Sequence, residues 1–271
     1  MARVTLPTAF ALATAMAGAA GVPVAAAADK VDALSRARVL YNQREFAAAV
    51  SAAEQARLVP ASADRADLIA ARAYLEHFRE SAASDDLTSA RERLRRLDPQ
   101  RLAPGERIEF IVGLGETLFF DGSYGAAADV FESVLARGDA LGPGWREPVL
   151  EWWATSIDRD AGPRPDLERR TLYLRIRDRM SAELSAQPSS AAAAYWLAAA
   201  ARGQGNIRAA WDAAQAGWVR APLATDHGAA LRADLDRLVV NAIAPERAKA
   251  TAQTLDHVRQ EWEQFKERWK R

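Results

Sequence analysis

Between Leu114 and Phe131 the chain reads Leu-Gly-Glu-Thr-Leu-Phe-Phe-Asp-Gly-Ser-Tyr-Gly-Ala-Ala-Ala-Asp-Val-Phe. This order of small, turn-forming and aromatic residues restricts the fold more than any other feature. Two helix-forming stretches flank a turn at Gly122. Gly115 on the first and Ala127 on the second carry little or no side chain, so two helices can approach closely there. Tyr124 wedges between them and Phe131 fills the space beside the contact. The same grammar recurs twice. Near the start, Ala37, Tyr41, Phe46, Ala49, Val50 and Ala56 take these roles, with Arg44-Glu45 in place of the glycine turn. Later they fall to Leu197-Ala198, Gly205-Asn206-Ile207, Ala210-Trp211, Gly217-Trp218 and Pro222.

Helix formers (Ala, Leu, Arg, Glu, Gln) dominate from Asp29 onward, in blocks separated by short runs rich in Pro, Gly, Ser and Asp. Pro104, Pro165 and Pro245 each sit where a first helical turn is expected to begin. Leu172–Arg177 alternates by two. Leu172, Ile176, Met180 and Leu184 also recur by four within helical flanks, so a helix is expected there. The chain is therefore expected to be all-α.

The three windows resemble tetratricopeptide repeats, helix pairs of about 34 residues. The crossing alanines Ala49, Ala127 and Ala210 are spaced by 78 and 83 residues (49 to 127, 127 to 210). Each gap then holds one further pair with an insertion of about ten to fifteen residues. Those pairs are expected over 62–98 and 145–187 and depart from the family pattern. The resemblance implies a right-handed superhelical α-solenoid over 29–244, whose first helices line a concave side. By position it assigns to that side Arg38, Tyr41 and Asn42, then Glu116, Phe119 and Phe120, then Tyr195, Ala199 and Arg202. It also implies a scaffold or adaptor that docks a segment of another protein.

Arg3, the uncharged stretch from Leu6 to Ala20 and the alanines at 25–28 have the layout of a secretory signal peptide over 1–28, and a periplasmic or secreted location is expected. The chain has no cysteine, hence no lipid-modified cysteine, disulfide or thiolate metal site. No other long apolar run occurs, so no stable membrane insertion is expected after cleavage. Lysines and arginines equal aspartates and glutamates at 36 each, and a nucleic-acid partner would need a basic surplus.

Leu255, Val258, Trp262, Phe265 and Trp269 fall three and four apart in a single last helix expected over 246–270. This apolar stripe marks the segment 245–271 as a cap on the last repeat or as a seam for self-association.

No catalytic constellation stands out. His77, His227 and His257 lie in separate blocks, and neither Gly113-Leu114-Gly115 nor Gly203-Gln204-Gly205 follows a strand. Asp234 and Asp236, two apart on a helix, point to different faces. The arginines at 91, 93, 95 and 96 read as a solvated face. A binding module without enzymatic activity, cofactor or metal is expected. A second possibility is a binder of a cell-wall fragment or other small ligand that uses Trp152, Trp153 and Tyr195 as stacking surfaces.

Overall fold

The computed structural model describes residues 32–138, 141 and 144–270. The signal-like segment 1–28 lies outside them. The described residues are helical and contain no strand. The chain divides into two compact units, Met1–Gly144 and Trp145–Arg271, so the domain expected over 29–244 is split at Gly144. In the first unit the helices are α1 (Ala33–Asn42), α2 (Phe46–Arg57), α3 (Ala63–Ser81), α4 (Ser84–Arg96), α5 (Pro104–Phe120) and α6 (Tyr124–Leu135). In the second they are α7 (Arg146–Ala161), α8 (Asp166–Ala186), α9 (Ala191–Gly203), α10 (Ile207–Arg220), α11 (Ala229–Leu238), α12 (Ala244–Thr251) and α13 (Leu255–Arg268).

One turn is built three times. Arg44, Gly122 and Gly205 have φ of 64°, 79° and 78°, and each lies five residues before Ala49, Ala127 or Ala210. After each, the next backbone N–H reaches back to the same place in the preceding helix: Glu45 to Leu40 at 3.0 Å, Ser123 to Leu118 at 2.9 Å and Asn206 to Ala201 at 3.0 Å. This helix-ending motif needs a left-handed residue, which glycine adopts without strain. Arg44 does so at a cost of about 1 kcal/mol. The same turn precedes each second helix, and all three alanines are fully buried. At Gly115 the approach is close: a Cβ there would stand 2.6 Å from Cε1 of Phe131. Phe131 itself is fully buried, on the crossing that the sequence assigns to it.

The intervening pairs are present as α3–α4 and α7–α8. Along α8, Ile176 and Met180 are fully buried and Leu184 nearly so, while Leu174 is exposed. The spacing by four wins over the alternation by two, as helical flanks require. In the first unit α3 packs on α1 and α5. In the second, α9 packs on α7 and α11. Within each unit the first helices of successive pairs therefore lie side by side.

Three expectations are corrected. The chain does not break at Ala244-Pro245. A π turn over Val239–Ile243 joins α11 to α12, and Pro245 falls in the first turn of α12. The wider loop accommodates a proline that has no N–H to bond back. The single helix expected over 246–270 is instead interrupted at Ala252, whose φ is 54°, and Thr254 caps α13 by accepting the His257 N–H at 3.3 Å. Nor do all the arginines of α4 face solvent. Arg93 and Arg96 converge on the buried Asp67 of α3, Arg93 at 2.8 Å and Arg96 at 2.7 and 2.9 Å. A buried carboxylate requires such donors.

The C-terminal stripe closes the second unit. Val258 and Trp262 are fully buried and Phe265 is 8% exposed. Trp262 packs edge-on against Trp211 and Trp218 of α10, and its Nε1 donates to Asp236 at 2.9 Å. Asp234 faces elsewhere and pairs with Arg237. Trp269 remains 42% exposed.

Gly115→Ala is expected to destabilise the first unit by about 1–3 kcal/mol through overpacking on Phe131. Adding Phe131→Leu should restore part of that loss. Urea unfolding of the two single variants and the double variant checks this; strictly additive losses would contradict the contact.

Candidate functional site

Each first-helix row presents polar residues from a scaffold made mostly of alanine and leucine. In the first unit the row is α1, α3 and α5. Arg38 on α1 donates to Glu109 on α5 at 2.7 Å. Between them on α3 stand Arg72, Glu76 and Arg79. Arg72 pairs with Glu116 of α5 and lies 3.9 Å from Glu76, and Arg79 donates to Glu76 at 2.7 Å. Arg72, Glu76 and Glu116 are only 5%, 7% and 2% exposed.

Burial alone would lower the Arg72 guanidinium, but the surrounding oxygens of Glu116, Tyr41, Glu76 and Glu109 hold it above its ordinary value. Burial also raises the Tyr41 phenol, which shares a hydrogen bond with Arg72. Three arginines thus face three glutamates across three helices. Such a network fixes helix register, and removing one partner leaves a buried charge unpaired.

This places the first expected site residues. Arg38, Tyr41 and Glu116 converge around Arg72. Asn42, at the end of α1, is exposed. Phe119 is 8% exposed and sits edge-on to Tyr124 at 5.1 Å, so its ring belongs to the interior. Phe120 is half-buried, with its ring 4.9 Å from that of Phe78.

In the second unit the row is α7, α9 and α11, and Glu147, Glu151 and Asp234 lie near one another within it. Tyr195 and Ala199 are half-buried on α9. Arg202 directs Nε and Nη2 at one oxygen of Glu246, at 3.0 and 2.6 Å. Glu151 of α7 accepts the Trp196 Nε1–H at 2.8 Å. Burial pushes the Glu151 carboxyl up to about 7; the Trp196 bond opposes this, and the charges of Asp234 and Glu147 add to it. Burial, with Glu151, Asp234 and Asp158 nearby, pushes the Tyr195 phenol up to about 12. Glu147 accepts the Ala192 N–H at 3.0 Å through Oε2, while its buried Oε1 has no hydrogen-bond partner among the described residues.

The sequence reading did not single out Arg72, Glu76, Glu109, Glu147 or Glu151. A signal existed on α3: Arg72 interrupts, and Glu76 one turn later ends, a run from Leu68 to Leu75 that is otherwise almost wholly apolar. Charges embedded in such a run have to be paired across helices. Trp152 and Trp153, proposed above as stacking surfaces, are 7% and 0% exposed and lie in the interior.

Two of the three histidines stand beside a carboxylate, His257 Nε2 lying 3.3 Å from Glu261 Oε1. His77 Nδ1 lies 2.7 Å from Asp86 Oδ2, and His227 follows Asp226, whose Oδ2 accepts the Ala230 N–H at the start of α11. Among the described residues no group of three or more His, Asp or Glu side chains is placed to hold a metal ion, and no helix is long and apolar enough to cross a membrane. Comparison with protein-family models, with curated proteins and with solved structures finds no match to this chain.

Two outcomes test these rows. Arg72→Met is expected to cost about 3–5 kcal/mol, because Glu116 loses its buried partner. Combining it with Glu116→Leu should recover a large part, as read by chemical denaturation.

The second concerns Glu151. Its folded carboxyl binds a proton more tightly than the ordinary value of 4.5. Stability is then fully present below that value and falls as pH rises toward about 7, by up to about 3 kcal/mol. Glu151→Gln should flatten this loss between pH 5 and pH 8 in urea titrations.

Proposed function

We propose that the protein is an exported helical-repeat scaffold of tetratricopeptide type that docks an extended or helical segment of a partner protein along its first-helix rows. On this reading the helix pairs coil into a right-handed superhelical solenoid with those rows on the inner side. The observation that carries it is the side-by-side packing of α1, α3 and α5 in one unit and of α7, α9 and α11 in the other. Rows of this kind offer a segment many contacts in register, which suits recognition better than chemistry does.

The inner residues suit that role. Asn42 and Phe120 in the first unit and Tyr195 and Ala199 in the second combine accessible polar and aromatic surface. In the first unit the buried ion pairs beneath hold the backbone still, and a pre-ordered surface binds without an ordering cost of its own. Export rests on the charge and apolar layout of residues 1–28. Self-association through the last helix is the weaker reading, because three of the five stripe residues are buried against the chain itself. A small-ligand site built on Trp152 and Trp153 is disfavoured by their burial.

A photo-activated cross-linker placed at Asn42 or Ala199 should capture a discrete protein from the cell envelope. The adducts should map to one short segment of that protein. The same probe at the outward-facing Ser51 should not. Equal capture from all three positions would remove the groove assignment.

A further inference from the structure

A pocket of about 300 Å³ opens in the second unit between the start of α8 and the α9–α10 turn. Arg169, Arg170 and Tyr173 line one side, and Arg202 with the backbone of 203–205 lines the other. No acidic residue lines it. We propose that this pocket binds a small phosphate ester, its phosphate held by the three guanidinium groups.

The donors are available. Among the described residues Arg170 has no carboxylate within 4.0 Å, and its side chain is exposed. Arg169 uses only Nη2 on Asp166, at 2.5 Å. Arg202 uses Nε and Nη2 on a single oxygen of Glu246. Each guanidinium carries five N–H donors, so all three retain N–H groups for a ligand. Arginine does not lose its charge at ordinary pH. The three guanidiniums converge on one small pocket, and Arg170, which has no carboxylate of its own, leaves a positive charge there for an anion to neutralise. A phosphate has enough oxygens to meet three planar forks, whereas a single carboxylate satisfies one of them in bidentate fashion. Asp166 and Glu246 offset the charges of Arg169 and Arg202, so the positive charge left for a ligand centres on Arg170, with the free N–H groups of the other two arginines beside it.

The aromatic wall is fixed. The Tyr173 hydroxyl donates to Asp158 Oδ1 at 2.7 Å, and Gln204 Nε2 donates to the Tyr173 carbonyl at 3.2 Å. Its ring lies so close to Gly203 that a Cβ there would stand 2.5 Å from the ring carbons. A site held in place before the ligand arrives binds more tightly than one that must be ordered. The volume lies at the low end for ligand pockets, which suits a glycerol or triose phosphate. The site shares Arg202 with the row of first helices, but Arg169 and Arg170 belong to α8, outside that row.

Isothermal titration of the full chain at low salt, with sn-glycerol 3-phosphate, inorganic phosphate and citrate in turn, tests it. The expected result is saturable one-to-one binding of glycerol 3-phosphate that weakens with added salt. Arg170→Ala, at an exposed position, should weaken it by about tenfold or more, while Arg268→Ala, exposed near the end of α13 and outside the pocket lining, should leave it unchanged. Absence of heat with glycerol 3-phosphate at millimolar concentration would overturn the proposal. So would equal weakening by both substitutions, binding of inorganic phosphate alone, or tighter binding of citrate.

Discussion

Close contact between helix backbones, permitted only where side chains nearly vanish, is the constraint on which the rest of this structure depends. Ala49, Ala127 and Ala210 are fully buried, and at Gly115 the Phe131 ring occupies the volume that a side chain would need. Without cysteines, no covalent link holds these helices together. The repeated left-handed turn five residues upstream is the second half of the device, because it sets the direction from which each second helix arrives. Once both are in place, first helices are left as neighbours of first helices, and a polar row is created by packing rather than by local sequence.

The two rows solve different electrostatic problems. Around Arg72 the charges balance, and each buried carboxylate has a guanidinium within reach. The cost of desolvating ions is offset by their mutual attraction, and the return is a fixed register for three helices. Around Glu151 the charges do not balance. Glu147 and Asp234 add to its burden, and the Trp196 N–H is a weak substitute for a cation. The first row is thus a clamp. The second is a destabilised patch whose ionisation works against the fold near neutral pH, the sort of strain that a ligand can relieve.

Most of the helix plan was legible in the sequence, because turns and small residues are local signals. Gly122 and Gly205 announced their turns, and Ile176, Met180 and Leu184 announced the buried face of α8. The C-terminal stripe was legible as a buried face, but its interruption was not: Ala252 takes a left-handed conformation that alanine seldom adopts, and nothing in its neighbourhood signals this. Pro245 pointed to a helix start where a π turn let the chain run through. Of the candidate site, positional resemblance placed Arg38, Tyr41 and Glu116 on one row. It could not supply Arg72 or Glu109, whose partners lie 44 and 71 residues away in sequence. Phe119 shows the same limit, since only the packed structure shows that its ring turns inward.

The central claim, that the fold stands on helix crossings closed by missing side chains, is tested most directly by comparing matched enlargements inside and outside the crossings. Melting temperatures would be measured for Ala49→Leu, Ala127→Leu and Ala210→Leu, each against the exposed neighbour substitution Ala47→Leu, Ala126→Leu or Ala216→Leu. The account predicts a loss of several degrees or outright unfolding for each buried position and little change for each exposed one. Equal, small shifts in both sets would mean that the helices do not meet at these alanines, and the account would fail.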